Sequence, residues 1–317
     1  MTMKNKVATV FGGTGFIGRQ VVRELAKKGV IVKVATRVPE RAYFLKPDGA
    51  VGQIVPFQCN YSDEESIVAA VKGADYVVNC VGILYERKRG GFKRVHADIP
   101  AVIAEACLQE GVENFVHISI PNIENDTSRY AKSKYEGEKA IQKIFPKATI
   151  LRPSVVFGPD DDFFNKFAEL MRFVPVLPLI GGGKTRFQPV YVGDVADAVM
   201  AAFEKPEARG QIYELGGPEV VSFKEVYELL SRYTGRRRMY IKLPFWLAKV
   251  QAVFMGLLPK PLLTCDQVES LKSDYVIKPE AKGLADLGVA PTLMDVVLPT
   301  YLESYRAGGR FAEVKAG

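Results

Sequence analysis

Hydrophobic and polar positions follow two alternating periods in the first half of the chain. Short runs rich in β-branched residues suit strands, and the segments between them repeat apolar residues at helical spacing. The strand-like runs are Lys6–Phe11, Ile31–Thr36, Gln53–Phe57, Asp75–Cys80, Asn114–Ser119 and Ala148–Arg152, and the helical patterns are Phe16–Lys28, Glu64–Lys72, Ile99–Glu110 and Arg129–Ile144. This alternation predicts a parallel sheet with helices on both faces. Right-handed crossovers then give a doubly wound α/β fold.

The pattern loosens after about residue 153, where prolines and glycines become denser. The remaining candidates are strands Phe187–Val192 and Gln211–Leu215 and helices Phe163–Phe173, Asp194–Glu204 and Phe223–Tyr233. We therefore expect a nucleotide-binding domain from residues 1–153 with strands returning to it up to about residue 220. Residues from about 154 to 317 form a smaller C-terminal α+β lobe, interleaved with the first.

Composition narrows the classes of partner. The chain has 317 residues, is 48% hydrophobic and carries a net charge of +7, which allows an anionic lipid, an acidic subunit or a phosphorylated ligand as partner. Basic residues look dispersed and no Arg-rich arm is present, which argues against nucleic acid. Four cysteines lie far apart without a C-x-x-C pair, and two isolated histidines form no cluster, so no metal site is predicted.

Three glycines follow the first predicted strand in "VFGGTGFIG" and open the first helix. Gly12 permits a tight turn, Gly15 lets the backbone approach a pyrophosphate, and Gly18 lets the helix pack closely. The helix start offers free N–H groups and a positive dipole end to phosphates. The pattern predicts a Rossmann-type dinucleotide site that also uses Thr14, Phe16 and Ile17.

The end of the second strand predicts which cofactor binds. An NAD site would place Asp or Glu there to hold the ribose 2′-OH, whereas this chain has Thr36 followed by Arg37, with Arg41 a turn later. A guanidinium can bind a 2′-phosphate in forked geometry, so NADPH is favoured over NADH. Arg41 could equally be a solvated charge at a helix start.

Order along the sheet places further residues near the cofactor. Asn60 should lie near the adenine, and Asn79, Val81 and Gly82 should pass the nicotinamide ribose. "GGGKT" at 181–185 lacks the earlier glycine of a phosphate-binding loop and indicates a turn. The three aspartates at 160–162 suit helix capping better than a metal.

"GGTGFIG", "YAKSK" and "LRPSVVFGPDD" resemble the extended and atypical short-chain dehydrogenase/reductase superfamily. The resemblance implies that Tyr130 is the proton donor, and that Lys134 binds the nicotinamide ribose and lowers the tyrosine pKa. Their spacing puts both on one helix face. It also implies that Ser119 and Pro153 complete the cofactor site.

The strand end before Tyr130 departs from that pattern. Ile120 and Pro121 cannot donate a hydrogen bond to a substrate carbonyl, and Ser119 is expected to satisfy local backbone instead. Tyr130 and Lys134 are then expected to persist as cofactor ligands in a vestigial catalytic site.

Longer stretches, including "LPFWLAKVQAVFMGLLPKPLLTCDQVESLKSD" and "YLESYRAGGRF", are similar to the nucleotide-binding accessory subunit of respiratory complex I in its bacterial form. That resemblance implies tightly held NADPH, a structural role, and other complex I subunits as partners. It implies a peripheral location on the cytoplasmic face of the inner membrane, or the matrix side in mitochondria. The alternative is an NADPH-dependent reductase or a nucleotide-sugar epimerase acting on a small carbonyl compound.

The segment Leu243–Pro259 is apolar on most faces and too short to span a bilayer. Three arginines at 236–238 precede it and Lys260 follows, which suits anionic lipid headgroups at a membrane surface. An ordinary core helix is the alternative. Thr264 and Gln267 then form a capping box that predicts another helix.

Overall fold

Seven parallel strands form the central sheet of the chain. The computed structural model describes residues 3–256, 261–306 and 308–309. The strands of this sheet are β1 (Val7–Phe11), β2 (Ile31–Thr36), β3 (Ile54–Gln58), β4 (Tyr76–Asn79), β5 (Asn114–Ile118), β6 (Thr149–Pro153) and β11 (Ile212–Leu215). Their order is β11-β6-β5-β4-β1-β2-β3. Successive strands are added in one direction from β1, as β2 and β3, and in the opposite direction from β4, as β5 and β6. In doubly wound folds, ligands bind at this switch point between β1 and β4.

Helices cover both faces of the sheet, as the alternation predicted. They are α1 (Phe16–Lys27), α2 (Glu64–Val71), α3 (Gly91–Lys93), α4 (Ile99–Gln109), α5 (Arg129–Ile144) and α7 (Val192–Glu204). One face packs apolar side chains of α1 and α7 against the strands, and the other packs those of α2, α4 and α5. A π-helical turn, Arg94–Asp98, joins α3 to α4. The doubly wound α/β prediction is confirmed.

The C-terminal part consists of shorter strands and helices that pack around a third apolar cluster. The strands are β7 (Val156–Phe157), β8 (Val176–Ile180), β9 (Arg186–Phe187), β10 (Val190–Tyr191), β12 (Val221–Ser222) and β13 (Met239–Leu243), and the helices are α6 (Phe164–Phe173), α8 (Phe223–Thr234), α9 (Phe245–Met255), α10 (Cys265–Ser270) and α11 (Met294–Leu302). Three two-stranded sheets result, β10 with β7, β12 with β9 and β13 with β8.

One strand prediction in this part was wrong, and one pair of strands was not predicted. The single strand Phe187–Val192 is split into β9 and β10, which pair with different partners, because Pro189 between them has no N–H to donate to a ladder. The parallel pair of β8 and β13 was missed, since each strand is short and β8 contains Pro178.

Capping follows the predicted pattern. The Asp161 carboxylate accepts hydrogen bonds from the backbone N–H groups of Phe163 and Asn165 at the start of α6. Thr264 and Gln267 form the expected capping box on α10. "GGGKT" begins with a 3₁₀ turn, Gly181–Gly183, and forms no phosphate-binding loop.

α9 is shorter than the predicted apolar segment and is largely exposed. Its buried residues are Ala248 and Ala252, while Trp246 and Phe254 are 68% and 69% exposed. The end of the predicted segment, residues 257–260, lies outside the described residues, as does most of the "AGGRF" ending. Within the described ranges, the structure has no helix with the length and apolarity to cross a bilayer.

Candidate nucleotide site

The turn after β1 has a geometry that requires glycine. Gly12 has φ +74°, and a Cβ on it would lie 2.9 Å from the carbonyl atoms of Cys80. A Cβ on Gly18 would lie 2.2 Å from the Gly12 oxygen. These approaches let α1 and β4 close around the turn, as the glycine spacing predicted.

The start of α1 has free hydrogen-bond donors. Gly15 occupies the N-cap position and supplies no side-chain acceptor, and the first turn contains no acidic residue. The N–H groups of Phe16, Ile17 and Gly18 therefore have no side-chain cap, which leaves a helix terminus suited to an anion.

A cavity of about 510 Å³ opens beside this turn at the carboxyl edge of the sheet. It is lined by Gly12, Thr14, Gly15, Thr36, Arg37, Val38, Arg41, Tyr61, Cys80, Val81 and Gly82. Eight of these were predicted from the sequence. The three others, Val38, Tyr61 and Cys80, were not.

Tyr61 braces the glycine turn. Its hydroxyl accepts a hydrogen bond from Gly12 N at 3.2 Å and donates one to Ala35 O at 2.6 Å. Burial raises the pKa of Tyr61 to about 12, so the phenol keeps its proton. The side chain thus connects the turn after β1 to the end of β2. No local sequence pattern predicts this connection.

The end of β2 presents cations to the cavity. The Thr36 hydroxyl bonds the backbone of Val38, while Arg37 and Arg41 are exposed. Neither arginine forms a salt bridge with a carboxylate in the described part of the chain. Both guanidinium groups are available to an anionic ligand.

Other predicted residues lie outside the lining of this cavity. Asn60 is exposed, and its Oδ1 accepts from Ser62 N in a turn. Pro153 is buried at the end of β6, opposite Leu215. Asn79 Oδ1 accepts a bond from Val81 N at 3.0 Å, and thereby fixes the backbone that lines the cavity.

Tyr130 and Lys134 lie on α5, as predicted, but their electrostatics differ from the expectation. Lys134 is buried, its Nζ donates to Ile118 O at 3.1 Å, and burial lowers its pKa to about 8. Burial raises the pKa of Tyr130 to about 12, with a smaller contribution from Asp126. The expected lowering of the tyrosine pKa by Lys134 is therefore wrong, because desolvation of the phenol dominates.

Lys134 connects the tyrosine helix to the cavity. A Cβ on Gly82, a cavity residue, would lie 3.7 Å from Lys134 Nζ. The ammonium group thus lies next to the backbone that was predicted to pass the nicotinamide ribose.

Ser119 does not satisfy local backbone through its side chain, contrary to the expectation. Its hydroxyl is buried and has no hydrogen-bond partner among the described residues. Nε2 of His117, two residues earlier on the same face of β5, is also buried without one. An unpaired buried polar atom is costly, so these two atoms mark a place where water or a ligand group would be stabilised.

His96 packs edge-on against the Tyr130 ring, with centroids 5.2 Å apart. Its Nε2 accepts from Ile83 N and its Nδ1 bonds the Ser133 hydroxyl, which assigns the neutral Nδ1–H form. Burial lowers its pKa to about 3. His96 is therefore a structural support for the tyrosine.

Comparison with known proteins defines the family. The model of the NAD dependent epimerase/dehydratase family matches residues 8–216. NADH dehydrogenase [ubiquinone] 1 alpha subcomplex subunit 9 of Arabidopsis thaliana is 35% identical over 316 residues, which cover 96% of this chain and 79% of that protein. The protein of the same name from Mus musculus is 35% identical over 305 residues, covering 95% and 80%.

The chain belongs to the alpha subcomplex subunit 9 family, within the NAD dependent epimerase/dehydratase family. Among solved structures, the Citrobacter sp. triphenylmethane reductase complexed with NADP(H) superposes with a TM-score of 0.75 at 19% identity, covering 93% of this chain and 99% of that chain. That likeness shows the shared fold. The resemblance inferred from the sequence motifs is thus confirmed.

In this family member, a distant carboxylate caps the tyrosine helix. Asp266 accepts hydrogen bonds from Arg129 N at 2.8 Å and Tyr130 N at 3.1 Å, and Ser128 Oγ accepts from Ala131 N. The first three N–H groups of α5 are therefore all satisfied. Asp266 also places a negative charge at the positive end of the helix.

Residues 264–275, which we call the C-terminal strap, hold the loop before α5 at two further points. Glu269 accepts from the Thr127 hydroxyl at 3.1 Å, and the Tyr275 hydroxyl donates to Asp126 at 3.1 Å. The strap thus fixes the segment that delivers Tyr130. The capping box at Thr264 predicted its helix, but nothing local predicted its contacts.

A buried ion-pair network supports the middle of the same helix. Arg152 on β6 binds Glu138 of α5 with two hydrogen bonds of 2.6 and 3.0 Å. It also contacts Glu214 at 3.4 Å and Glu124 at 2.9 Å. "LRPS" had been used only as a family motif, so sequence reasoning missed this role.

The cavity end of the site is suited to an anionic ligand. It offers free helix-terminal donors and two arginines without a carboxylate partner in the described residues. At the other end, burial keeps the Tyr130 phenol protonated by raising its pKa to about 12. No group of three or more His, Cys, Asp or Glu able to hold a metal occurs within the residues that the structure describes.

Proposed function

We propose that this chain is an accessory subunit of a respiratory NADH dehydrogenase and holds NADP(H) as a structural group. The observation that carries the proposal is the extent of similarity to the subunit 9 relatives, 35% identity over 95–96% of this chain. It includes the C-terminal part beyond residue 216, where the epimerase family model ends.

The preference for NADP(H) rests on the end of β2. Arg37 and Arg41 line the cavity, and neither has a carboxylate partner in the described ranges. The backbone of Gly12 and Gly15 would hold the pyrophosphate, and Lys134 would hold the nicotinamide ribose. When bound, the cofactor supplies a nicotinamide able to exchange hydride.

A structural role for the cofactor is favoured by the state of the tyrosine end. Ile120 and Pro121 offer no side-chain donor to a substrate carbonyl, and burial raises the pKa of Tyr130 to about 12. A ligand that binds the folded chain stabilises it by mass action, so tightly held NADP(H) would strengthen the subunit without turnover.

Partners and location follow from the same proposal. Other subunits of the respiratory complex are the partners, and the chain sits peripherally on the cytoplasmic face of the inner membrane, or on the matrix side in mitochondria. Residues 1–153, with strands returning up to about residue 220, form the cofactor domain, and the remainder forms the docking lobe.

Cofactor preference is tested by replacing one arginine. We expect Arg37→Ala to weaken NADPH binding roughly tenfold to a hundredfold, because a charged hydrogen bond contributes about 1.5–3 kcal/mol. NADH binding should stay within twofold. Titration calorimetry measures both, and Arg237→Ala, an exposed arginine elsewhere, is the control. Equal losses for the two cofactors would contradict the assignment.

The accessory role is tested in the assembled complex. Tyr130→Phe should leave respiratory NADH oxidation and incorporation of the subunit near wild-type levels, because the respiratory electrons would not pass through this nicotinamide. Affinity purification of the tagged full chain, followed by activity assays, measures both. Loss of activity in a fully assembled complex would favour a catalytic role instead.

A second candidate is an NADPH-dependent reductase or epimerase acting on a small carbonyl compound. The unpaired Ser119 hydroxyl favours it, since a substrate oxygen would satisfy that buried group. Under this alternative, Ser119→Ala would abolish NADPH-dependent turnover of a carbonyl library. Under the accessory role, there is no turnover to lose.

A further inference from the structure

The segment after β4, up to the first residue of the π-helical turn, is strongly basic. Residues 85–94 read "YERKRGGFKR", which we call the basic loop, and its cations are Arg87, Lys88, Arg89, Lys93 and Arg94. All five side chains are exposed. The expectation that basic residues are dispersed is therefore wrong here, since five cations fall within eight positions.

The basic loop is held in place by its own acidic residue. One Glu86 oxygen accepts from Phe92 N at 3.1 Å, and the other pairs with Arg129 at 3.1 Å. Phe92 is buried beneath the loop. This anchoring lets the cations project from a fixed backbone.

Four of the cations lack an anionic partner. Lys93 pairs with Asp98, whereas Arg87, Lys88, Arg89 and Arg94 form no salt bridge with any carboxylate of the described residues. These unpaired cations lie close together in sequence and repel one another. An anionic surface would reduce that repulsion and so stabilise the loop.

α9 presents the opposite chemistry nearby. Trp246, Val250, Val253 and Phe254 are exposed, and the sequence of the helix contains no acidic residue. Its single charged residue, Lys249, pairs with Glu269 of the strap at 2.6 Å. An exposed apolar face with aromatic residues suits the boundary between headgroups and acyl chains.

The basic loop and α9 are connected through residues that line one cleft. A cavity of about 250 Å³ is lined by residues that include Arg129, Lys249, Asp266 and Glu269. Arg129 pairs with Glu86 of the basic loop on one side, and Lys249 belongs to α9 on the other. This cavity thus lies between a residue that pairs with the basic loop and a residue of α9.

Two of the arginines at 236–238, which were expected to offer charge beside α9, make hydrogen bonds to the backbone. Arg236 donates to the carbonyl oxygens of Tyr305 and Arg306, and Arg238 donates to Met171 O. Arg237 is exposed. The basic loop adds four cations that have no carboxylate partner in the described ranges.

We propose that the basic loop binds anionic lipid headgroups while α9 enters the adjoining interface of the same bilayer. The inference rests on the proposed docking of this subunit at a membrane. Stable attachment generally needs two signals, such as an apolar insertion and a polybasic patch. α9 supplies the first, and guanidinium groups match phosphate oxygens in charge and geometry.

The test is binding of the purified full chain to vesicles of two compositions, followed by flotation. One set is phosphatidylcholine alone, and in the other one lipid in three is phosphatidylglycerol. The variant neutralises Arg87, Lys88 and Arg89 to alanine. The matched control neutralises Lys72, Lys143 and Lys147, exposed lysines at the opposite edge of the sheet, with the same change in charge.

We expect the wild type to bind the anionic vesicles preferentially. The loop variant should bind them at least about tenfold more weakly, since each cation near such a surface contributes about a factor of five. The control should stay within twofold of wild type, and high salt should remove the difference. A Trp246→Ala, Phe254→Ala double variant should weaken binding as well.

Two results would overturn the proposal. Either the loop variant binds anionic vesicles as well as wild type, or the wild type binds none of them at low salt. If the wild type then still co-purifies with the respiratory complex, the accessory role stands and the partner of the loop is a protein. Failure to co-purify would sink the proposed function itself.

Discussion

The two ends of the candidate site are built in different ways. The nucleotide end is made mostly by contiguous backbone, with β1, the glycine turn and the start of α1 in one stretch and Arg37 shortly after. The tyrosine end depends on side chains from distant parts of the chain, with Asp266, Glu269 and Tyr275 on one side and Arg152 on the other. Its electrostatics are therefore set by burial in tertiary structure.

The two ends also differ in what determines their properties. Free N–H groups and a positive dipole come with any exposed helix start, so the nucleotide end needs little support. The reactivity of Tyr130 depends on its surroundings, and those surroundings raise its pKa to about 12. The ionisation of a motif residue thus depends on its burial as well as on the other residues of the motif.

The largest expected effect comes from removing the support of the tyrosine end. Arg152→Met leaves Glu138 and Glu214 buried without their partner, and breaking a buried pair costs about 3–5 kcal/mol. Denaturant unfolding measures the loss. Arg186→Met removes an exposed pair with Asp274 and should cost less than about 1 kcal/mol. Equal losses for the two variants would show that the network is not needed.

A second experiment uses the pKa of Lys134, lowered from 10.5 to about 8. Between these values the unfolded chain keeps a proton that the folded chain has released, so stability rises with pH. From pH 8 to 9.5, wild type should gain about 1.5 kcal/mol relative to Lys134→Met, since the folded lysine is half deprotonated at pH 8 and almost fully at pH 9.5. Unfolding free energies at several pH values measure this gain. The tyrosines also titrate in this range, and their contribution is the same in both proteins, so it cancels in the difference. Parallel profiles would contradict the buried lysine.

The smallest effect sharpens the comparison locally. Asp266→Asn removes the carboxylate that caps α5 and should cost about 1 kcal/mol. Hydrogen exchange should accelerate at the amides of Arg129 and Tyr130 while the glycine turn stays unchanged. Asp63→Ala, which removes the side-chain acceptor that caps α2, should affect α2 alone. Faster exchange at the glycine turn in the Asp266 variant would show that the two ends are not built separately.

The sequence predicted the sheet well because its signals are local. β2 and α5 have the predicted bounds, and most other central elements differ by one residue at an end. β8 and β13 were missed because their pairing joins two short segments more than sixty residues apart in the chain. Hydrophobic periodicity and strand propensity are local properties, so they do not show which distant segment a strand pairs with.

The site shows the same limit. Gly12, Gly15 and Arg37 could be predicted since their roles depend on neighbours in sequence. Tyr61 and Asp266 could not, because their bonds reach 49 and 136 positions along the chain. The direction of the Tyr130 pKa shift was missed for a related reason: spacing puts Lys134 on the same face, but only the folded packing fixes the desolvation.

The cap on α5 can form only late in synthesis of the chain, because its donor and acceptor groups lie far apart in the sequence. Tyr130 is synthesised 136 residues before the carboxylate that binds its N–H, a delay on the order of 10 s at ribosomal rates. The glycine turn and the arginines of β2 are complete long before that moment. A nascent chain therefore has its nucleotide end ready first, and the tyrosine helix gains its last cap only when the strap emerges.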